Sequence, residues 1–289
     1  MHYCPRYDII YIAYPYLPKT KEGVVFLKKI FALVLLCAVI FSAAACASAT
    51  GKLEKIQNSG KIVVYTDPNF SPFEFLADGK PVGVDIEIAK AIAAELGADA
   101  EFKEANFDSI LMAIKGGKGD MAISGFTITD ERKESVDFSV PYIKSVQYLI
   151  LNEGSDISSI EDLAGKTVGV AKGYTGQFLM EDEMDEGGVL EGAGVELREC
   201  NSALEAALEL QNNRVDAVVM DEYVAKNIAQ QNSGLVAIEL LYGDGSSAAE
   251  EYGVAVPKGN EDLLEIIDKV IGRLISEDKI REWVVEYSQ

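Results

Sequence analysis

Arg132 lies in the run Ser124-Gly-Phe-Thr-Ile-Thr-Asp-Glu-Arg-Lys133, where Thr127 offers a hydroxyl and a helix start at Asp130 leaves backbone N–H groups free. A guanidinium beside such donors suits a planar carboxylate held by two parallel hydrogen bonds; the alternative is a surface arginine in a charged helix. Asp221 follows Val218-Val-Met220 and opens the segment Glu222 to Ala229. It suits an ammonium group, or it simply caps that helix. Phe70 and Phe107 each stand in a polar setting, Asn69-Phe70-Ser71 and Asn106-Phe107-Asp108. Two such rings flank the aliphatic part of a small ligand, or else join a core. Asp67 and Lys172 carry opposite charges that suit a polar side chain, or they remain solvated.

Other chemistries find little support. Gly165-Lys166-Thr167 resembles the end of a phosphate loop, but Ile160 stands where the earlier glycine belongs. Ser276-Glu-Asp-Lys279 fits Ser-x-x-Lys without its Ser-Asp-Asn or Lys-Thr-Gly partners and reads as an exposed helix junction. No Gly-x-Ser-x-Gly occurs, and the one histidine is His2, so a processed N-terminus takes every Ser-His-Asp mechanism with it. The acidic run Glu181 to Glu186 has no ordered calcium loop and reads as solvated surface. No metal and no cofactor are expected.

Charge and length narrow the class further. With 26 Lys+Arg against 47 Asp+Glu the formal charge is −21, which opposes binding to nucleic acid or to an anionic membrane surface. The 289 residues suit about two domains. Four cysteines (Cys4, Cys37, Cys46, Cys200) are too scattered for a disulfide framework or a zinc site. Lys28-Lys29, the apolar run Ile30 to Phe41 and Ser42-Ala-Ala-Ala-Cys46 form the basic, hydrophobic and small-residue regions of an export signal, as against a membrane anchor or a short buried helix. The signal segment is residues 1–45, of which 1–27 read as a misassigned start. The Ala-Ala-Ala-Cys ending resembles a lipobox, with Ala43 in place of the usual Leu or Val, and it implies that Cys46 carries lipid and that residues 46–52 form a linker. Residues 1–45 hold five cations and two anions, so their removal takes the charge to −24.

The elements that must position these residues alternate between strand and helix, the pattern of sheets covered by helices. Strands are expected at Ile62 to Thr66, Ala100 to Lys103, Met121 to Ser124, Gln147 to Leu151, Thr167 to Ala171, Val195 to Arg198, Ala217 to Met220 and Tyr252 to Val256. Helices are expected from an Asp85 cap to Gly97, Phe107 to Lys115, Gln177 to Met184, Ala203 to Asn212, Asp262 to Ile275 and Lys279 to Tyr287. The halves echo each other: Gly60-Lys61 before a strand recurs as Gly165-Lys166, and Gly119-Asp120 before a strand recurs as Val215-Asp216. Two similar α/β lobes follow, with ligand residues just beyond the strand ends.

Tyr65-Thr-Asp-Pro-Asn-Phe-Ser-Pro-Phe-Glu-Phe75, Val82-Gly-Val-Asp-Ile-Glu87, Ser124 to Arg132, Val136-Asp-Phe-Ser-Val-Pro-Tyr142 and Gly169-Val-Ala-Lys-Gly-Tyr-Thr-Gly176 together resemble the polar amino-acid binding proteins of ABC importers, solute-binding protein family 3. The resemblance runs in order from Leu53 to Tyr287. It implies a two-lobed periplasmic-binding-protein-like fold of type II, with two open mixed sheets flanked by helices and joined by a two-strand hinge. It places the ligand α-carboxylate on Arg132, Thr127 and the Ser124-Gly125 backbone, with Thr175, Gly176 and Gln177 at the same end. It places the α-ammonium on Asp221 and sets Phe70 and Phe107 beside the side chain. Tyr174 stands where the family has a small polar residue, and Glu222 where it often has Asn.

The same resemblance has the chain cross near Pro141 to Gln147 and again near Ala248 to Tyr252. Lobe 1 is then residues 53–143 and 252–289, and lobe 2 residues 147–248. Partners on the outer face of the cytoplasmic membrane are an ABC permease and its ATPase, the binding protein being a lipid-anchored monomer. Asp67 with Lys172 is similar to the pair that glutamine-specific relatives use on the side-chain amide. Asp67 alone suits a cation, which Lys172 would repel unless it swings to solvent. The expected order is therefore glutamine, then other polar or acidic amino acids, then the basic ones. The runner-up activity is a cyclohexadienyl dehydratase on the same fold, with Glu222 or Asp67 as the acid. No second hydrophobic segment follows Tyr287, which sets a receptor sensor domain aside.

Overall fold

In β1 (Lys61–Thr66) Ile62, Val64 and Thr66 turn inward while Lys61 stays exposed, the period-two pattern of a half-buried strand. The structure, a computed structural model, describes residues 51–289; the expected export signal and Cys46 lie outside them. After α1 (Lys52–Ser59) and β1, the segments β2 (Asn69–Phe70), β3 (Glu74–Ala77) and β4 (Lys80–Val82) form a small antiparallel sheet that the sequence pattern did not reveal. Next come α2 (Val84–Glu95), β5 (Asp99–Glu104), α3 (Phe107–Lys115), β6 (Met121–Ala122), α4 (Asp130–Lys133) and β7 (Val136–Phe138).

The long strand β8 (Ile143–Asn152) leads into the second lobe. There β9 (Thr167–Ala171), α5 (Thr175–Met184), β10 (Glu196–Cys200), α6 (Ala203–Gln211), β11 (Ala217–Asp221), α7 (Glu222–Gln231) and β12 (Leu235–Glu239) follow. The chain returns through β13 (Ala249–Tyr252) to β14 (Ala255–Pro257), α8 (Glu261–Ser276) and α9 (Lys279–Tyr287). One sheet runs β5-β1-β6-β14-β7, the other β10-β9-β11-β8-β12, with β13 paired to β8. In each sheet the βα units pair in parallel, and the antiparallel neighbour of that set is β14 in the first and β8 in the second. This is the expected two-lobed mixed α/β fold.

The sequence echo between the halves has a physical basis. Asp120 donates its N–H to the Val63 carbonyl and takes the Val63 N–H on its carboxylate, both at 2.9 Å. Asp216 does the same to Thr167, at 2.7 and 2.8 Å. A short acceptor side chain beside its own donor locks a parallel pair where the ladder begins, once in each lobe.

The hinge is the strand pair β8 and β13, with Ile143 opposite Tyr252 and Val146 opposite Ala249. Past Gln147 the same β8 joins β11 and β12 instead. The expected strand from Tyr252 to Val256 is thus two strands, because the Gly253 and Val254 N–H groups donate to Phe126 O and Ser139 Oγ. The expected Asp85 cap is also corrected. Gly83 precedes the helix at φ +125°, with Phe73 O only 2.2 Å from where a Cβ would stand, so glycine is required there. Asp85 lies fully buried in the first turn, taking the Gly125 N–H at 2.8 Å and the Tyr142 hydroxyl at 3.0 Å.

Candidate functional site

Arg132 sits on the one-turn helix α4, held there by Thr129, whose hydroxyl takes the Arg132 N–H. Its side chain turns inward and is buried, with the guanidinium 5.5 Å from the Phe107 ring centre and 5.7 Å from that of Phe126. Nη1 donates to Thr127 O at 2.8 Å, and Nη2 donates across the lobes to Gly173 O at 2.9 Å. Burial works against its charge, while Glu250 and Asp221 support it. The surface-arginine alternative does not hold.

Asp221 ends β11 and caps nothing with its side chain. Its carboxylate takes Gln147 Nε2 at 2.5 Å and the Tyr252 hydroxyl at 2.6 Å, one donor from each hinge strand. Burial raises its pKa, and those hydrogen bonds together with Arg132 pull it back. Beside it, Thr175 Oγ1 at the start of α5 lies 3.5 Å from Thr127 Oγ1 and 3.4 Å from Gln147 Nε2. Arg132, Thr127, Thr175 and Asp221 therefore converge between the lobes. A groove of about 640 Å³ lined by Thr127, Gln147, Thr175 and Glu250 opens next to them.

The other expected residues divide. Phe70 and Phe107 are both buried, and Tyr174 joins them, its ring centre 5.5 Å from Phe70 and 4.4 Å from Phe107. Gly125, at φ +56°, lets its backbone pass the Phe70 ring, which would lie 2.3 Å from a Cβ. Its N–H goes to Asp85, and the Ser124 hydroxyl donates to Glu74 Oε1 at 2.6 Å, so both support buried acids. Asp67 is buried beside this group, accepting from Phe107 N at 3.1 Å and Asn69 Nδ2 at 2.6 Å. Burial raises its pKa. Gly176 packs the start of α5 against Val219 and Gln147. Gln177 turns back to take the Gly173 N–H and to donate to Glu181. Lys172 is not brought to Asp67: it points outward, with Nζ 3.8 Å from Glu199.

Sequence reasoning missed Gln147, Tyr252, Glu250, Glu74 and Asp85. Gln147, a lone polar residue in the apolar run of β8, and Glu74, set between Phe73 and Phe75, carried a signal; Glu250, in an acidic pair, carried none. Among the described residues Arg132 is the buried cation, set against buried Asp67, Glu74, Asp85, Asp221 and Glu250. Burial and the neighbouring Asp85 hold Glu74 well above its usual range, and burial raises Asp85 to about 6. Burial and the charge of Asp221 raise Glu250 to about 8. No group of three or more His, Cys, Asp or Glu among the described residues is placed to hold a metal ion.

The two sheets, the double crossing, and a buried guanidinium and a buried carboxylate brought by different lobes define the class of two-lobed binding proteins. The model of the bacterial extracellular solute-binding proteins, family 3, matches residues 62–289, and the chain belongs to that family. It is similar to the L-cystine-binding protein TcyJ of Escherichia coli (strain K12), 32% identical over 228 residues, covering 78% of this chain and 81% of the relative. It is also similar to the ABC transporter glutamine-binding protein GlnH of Bacillus subtilis (strain 168), 31% identical over 283 residues, covering 90% and 98%. Among solved structures an ancestral arginine-binding protein bound to arginine superposes with a TM-score of 0.71 at 40% identity, covering 79% of this chain and 98% of that one. The chain is thus a substrate-binding protein of amino-acid ABC transport, an exported component whose relatives are named for binding.

Proposed function

We propose that this protein captures a basic L-amino acid, arginine first, between its lobes and delivers it to an ABC permease and ATPase as a monomer held at the membrane by lipid on Cys46. The observation that carries the ligand class is the direction of Lys172. With Nζ at Glu199 it neither repels a cation nor donates to an amide, while Asp67 stays buried beside Phe70 and Phe107. The sequence-based order, glutamine ahead of the basic amino acids, rested on Lys172 and is therefore revised.

A zwitterion leaves water only when both charges find partners. The α-carboxylate takes Arg132, with the Thr127 and Thr175 hydroxyls beside it, and the α-ammonium takes Asp221. Asp67 then remains for a side-chain cation. A guanidinium suits this place better than a compact ammonium because its planar face stacks on aromatic rings. Arg132 and Asp221 come from different lobes, so the ligand completes its contacts only when the hinge is closed.

The test is a titration calorimetry panel of the twenty amino acids on the exported, processed protein after unfolding and refolding to strip carried-over ligand. Tightest binding of arginine supports the proposal. Tightest binding of glutamine, with arginine weak, restores the amide reading, and silence from all twenty overturns amino-acid capture.

A further inference from the structure

Resting on that reading, the arrangement around Arg132 has the shape of a ligand built into the chain. Gly173 O receives Arg132 Nη2 at 2.9 Å, as one oxygen of an α-carboxylate would. The next residue places its ring against Phe70 and Phe107, the two rings assigned to the ligand side chain. Tyr174 is only 4% exposed, and its hydroxyl is buried with no hydrogen-bond partner. Burial and the charges of Asp67, Glu74 and Asp221 hold that hydroxyl well above its usual pKa, so it stays protonated. On the other side of the site Gln147 Nε2 and the Tyr252 hydroxyl supply donors to Asp221, as an ammonium would.

We propose that the Gly173–Tyr174 turn is a built-in competitor of the amino acid, mimicking its carboxylate and side chain and joining the lobes until a ligand displaces it. The turn is well suited to the part. Gly173 sits at φ +76° with its N–H held by Gln177, which aims its carbonyl across the lobes. The family resemblance implies a small polar side chain where Tyr174 stands, so the ring fills space that such a residue would leave open.

A competitor that must leave before any ligand binds reduces the apparent affinity for every ligand by the same factor, the fraction of molecules in which it has withdrawn. It therefore changes thresholds and leaves rank order untouched. A ring that instead contacts the ligand alters the ranking and weakens binding when removed.

Three proteins decide between these: wild type, Tyr174→Ser and Tyr174→Phe, with L-arginine and L-glutamine as probes in calorimetry and small-angle X-ray scattering of each protein with and without them. Tyr174→Ser is expected to tighten both amino acids by a common factor of about ten or more, and to raise the radius of gyration of the protein alone. Tyr174→Phe is expected to weaken both, because a ring without an unpaired hydroxyl holds its place more firmly. Opposite signs from the two variants support the competitor. Weaker binding in both, a changed ranking, or unchanged scattering of the protein alone overturns it. The scattering of the protein alone needs no ligand, so a failure of the proposed amino acid to bind leaves the competitor judged on its own evidence.

Discussion

The Tyr252 hydroxyl donates to Asp221 Oδ2 at 2.6 Å, tying the returning hinge strand to the carboxylate that ends β11. Tyr252 is fully buried against Phe70 and Phe73, so its ring packs under the site while its oxygen serves it. Burial and the charges of Asp221 and Glu250 keep that hydroxyl protonated. Tyr252→Phe keeps the ring and removes one of the two donors to a buried carboxylate. Hydrogen bonds to charged groups contribute about 1.5–3 kcal/mol, so chemical denaturation is expected to show a loss of that order. A midpoint unchanged from wild type would show that the contact contributes nothing.

Arg132 has no substitute among its neighbours. Arg132→Ala removes the buried guanidinium and is expected to abolish amino-acid binding in calorimetry, with far-ultraviolet dichroism retained. Arg132→Lys keeps the charge but loses the two-pronged donor geometry and the stacking over Phe107 and Phe126. It is expected to weaken binding by roughly 1.5–3 kcal/mol, the range of one charge-assisted hydrogen bond. Affinity within a few-fold of wild type in Arg132→Ala would remove this residue from the carboxylate site.

Asp67 is the residue on which the ligand class turns. Asp67→Asn retains an acceptor for the Phe107 N–H at close to the same volume and gives up the one for Asn69 Nδ2. The change removes the negative charge beside the aromatic rings. Arginine affinity is expected to fall by tenfold or more, while glutamine affinity holds or rises; a parallel loss for both would make Asp67 a purely structural residue.

Much of this was legible before any coordinates, and the exceptions have a common cause. Local information sufficed where periodicity or spacing carries it, as in the β1 alternation and the helix Phe107–Lys115, whereas the echo at Asp120 and Asp216 was visible but its locking hydrogen bonds to Val63 and Thr167 were not. Arg132 and Asp221 stood out because each charge falls at a strand end or helix start. What stayed hidden depends on partners far away in the chain. Lys172 turns outward, with Nζ 3.8 Å from Glu199 on the neighbouring strand, which no spacing reveals. Glu74, Asp85 and Glu250 are acids in ordinary polar company, and only tertiary packing buries them. The small residue expected at Tyr174 was visibly missing from the sequence, but the place its ring takes was not.

Glu250 gives the site a pH dependence whose sign can be worked out. It is buried on the hinge strand β13, with Asp221 and Arg132 as charged neighbours, and its pKa rises from an ordinary 4.5 to about 8. Between those values the folded protein holds a proton that the unfolded chain has released. Stability therefore falls as pH rises through this window, by at most about 1.4 kcal/mol per pH unit for one group. Asp85, raised to about 6, adds the same sign below that pH, and Glu74 adds it as well. Glu250→Gln removes one titration and leaves the others, so the difference between variant and wild type isolates Glu250. Denaturant titrations at pH 5, 6.5 and 8 are expected to show the variant gaining on wild type at each step. A constant difference would mean that Glu250 titrates in the folded protein as it does in water.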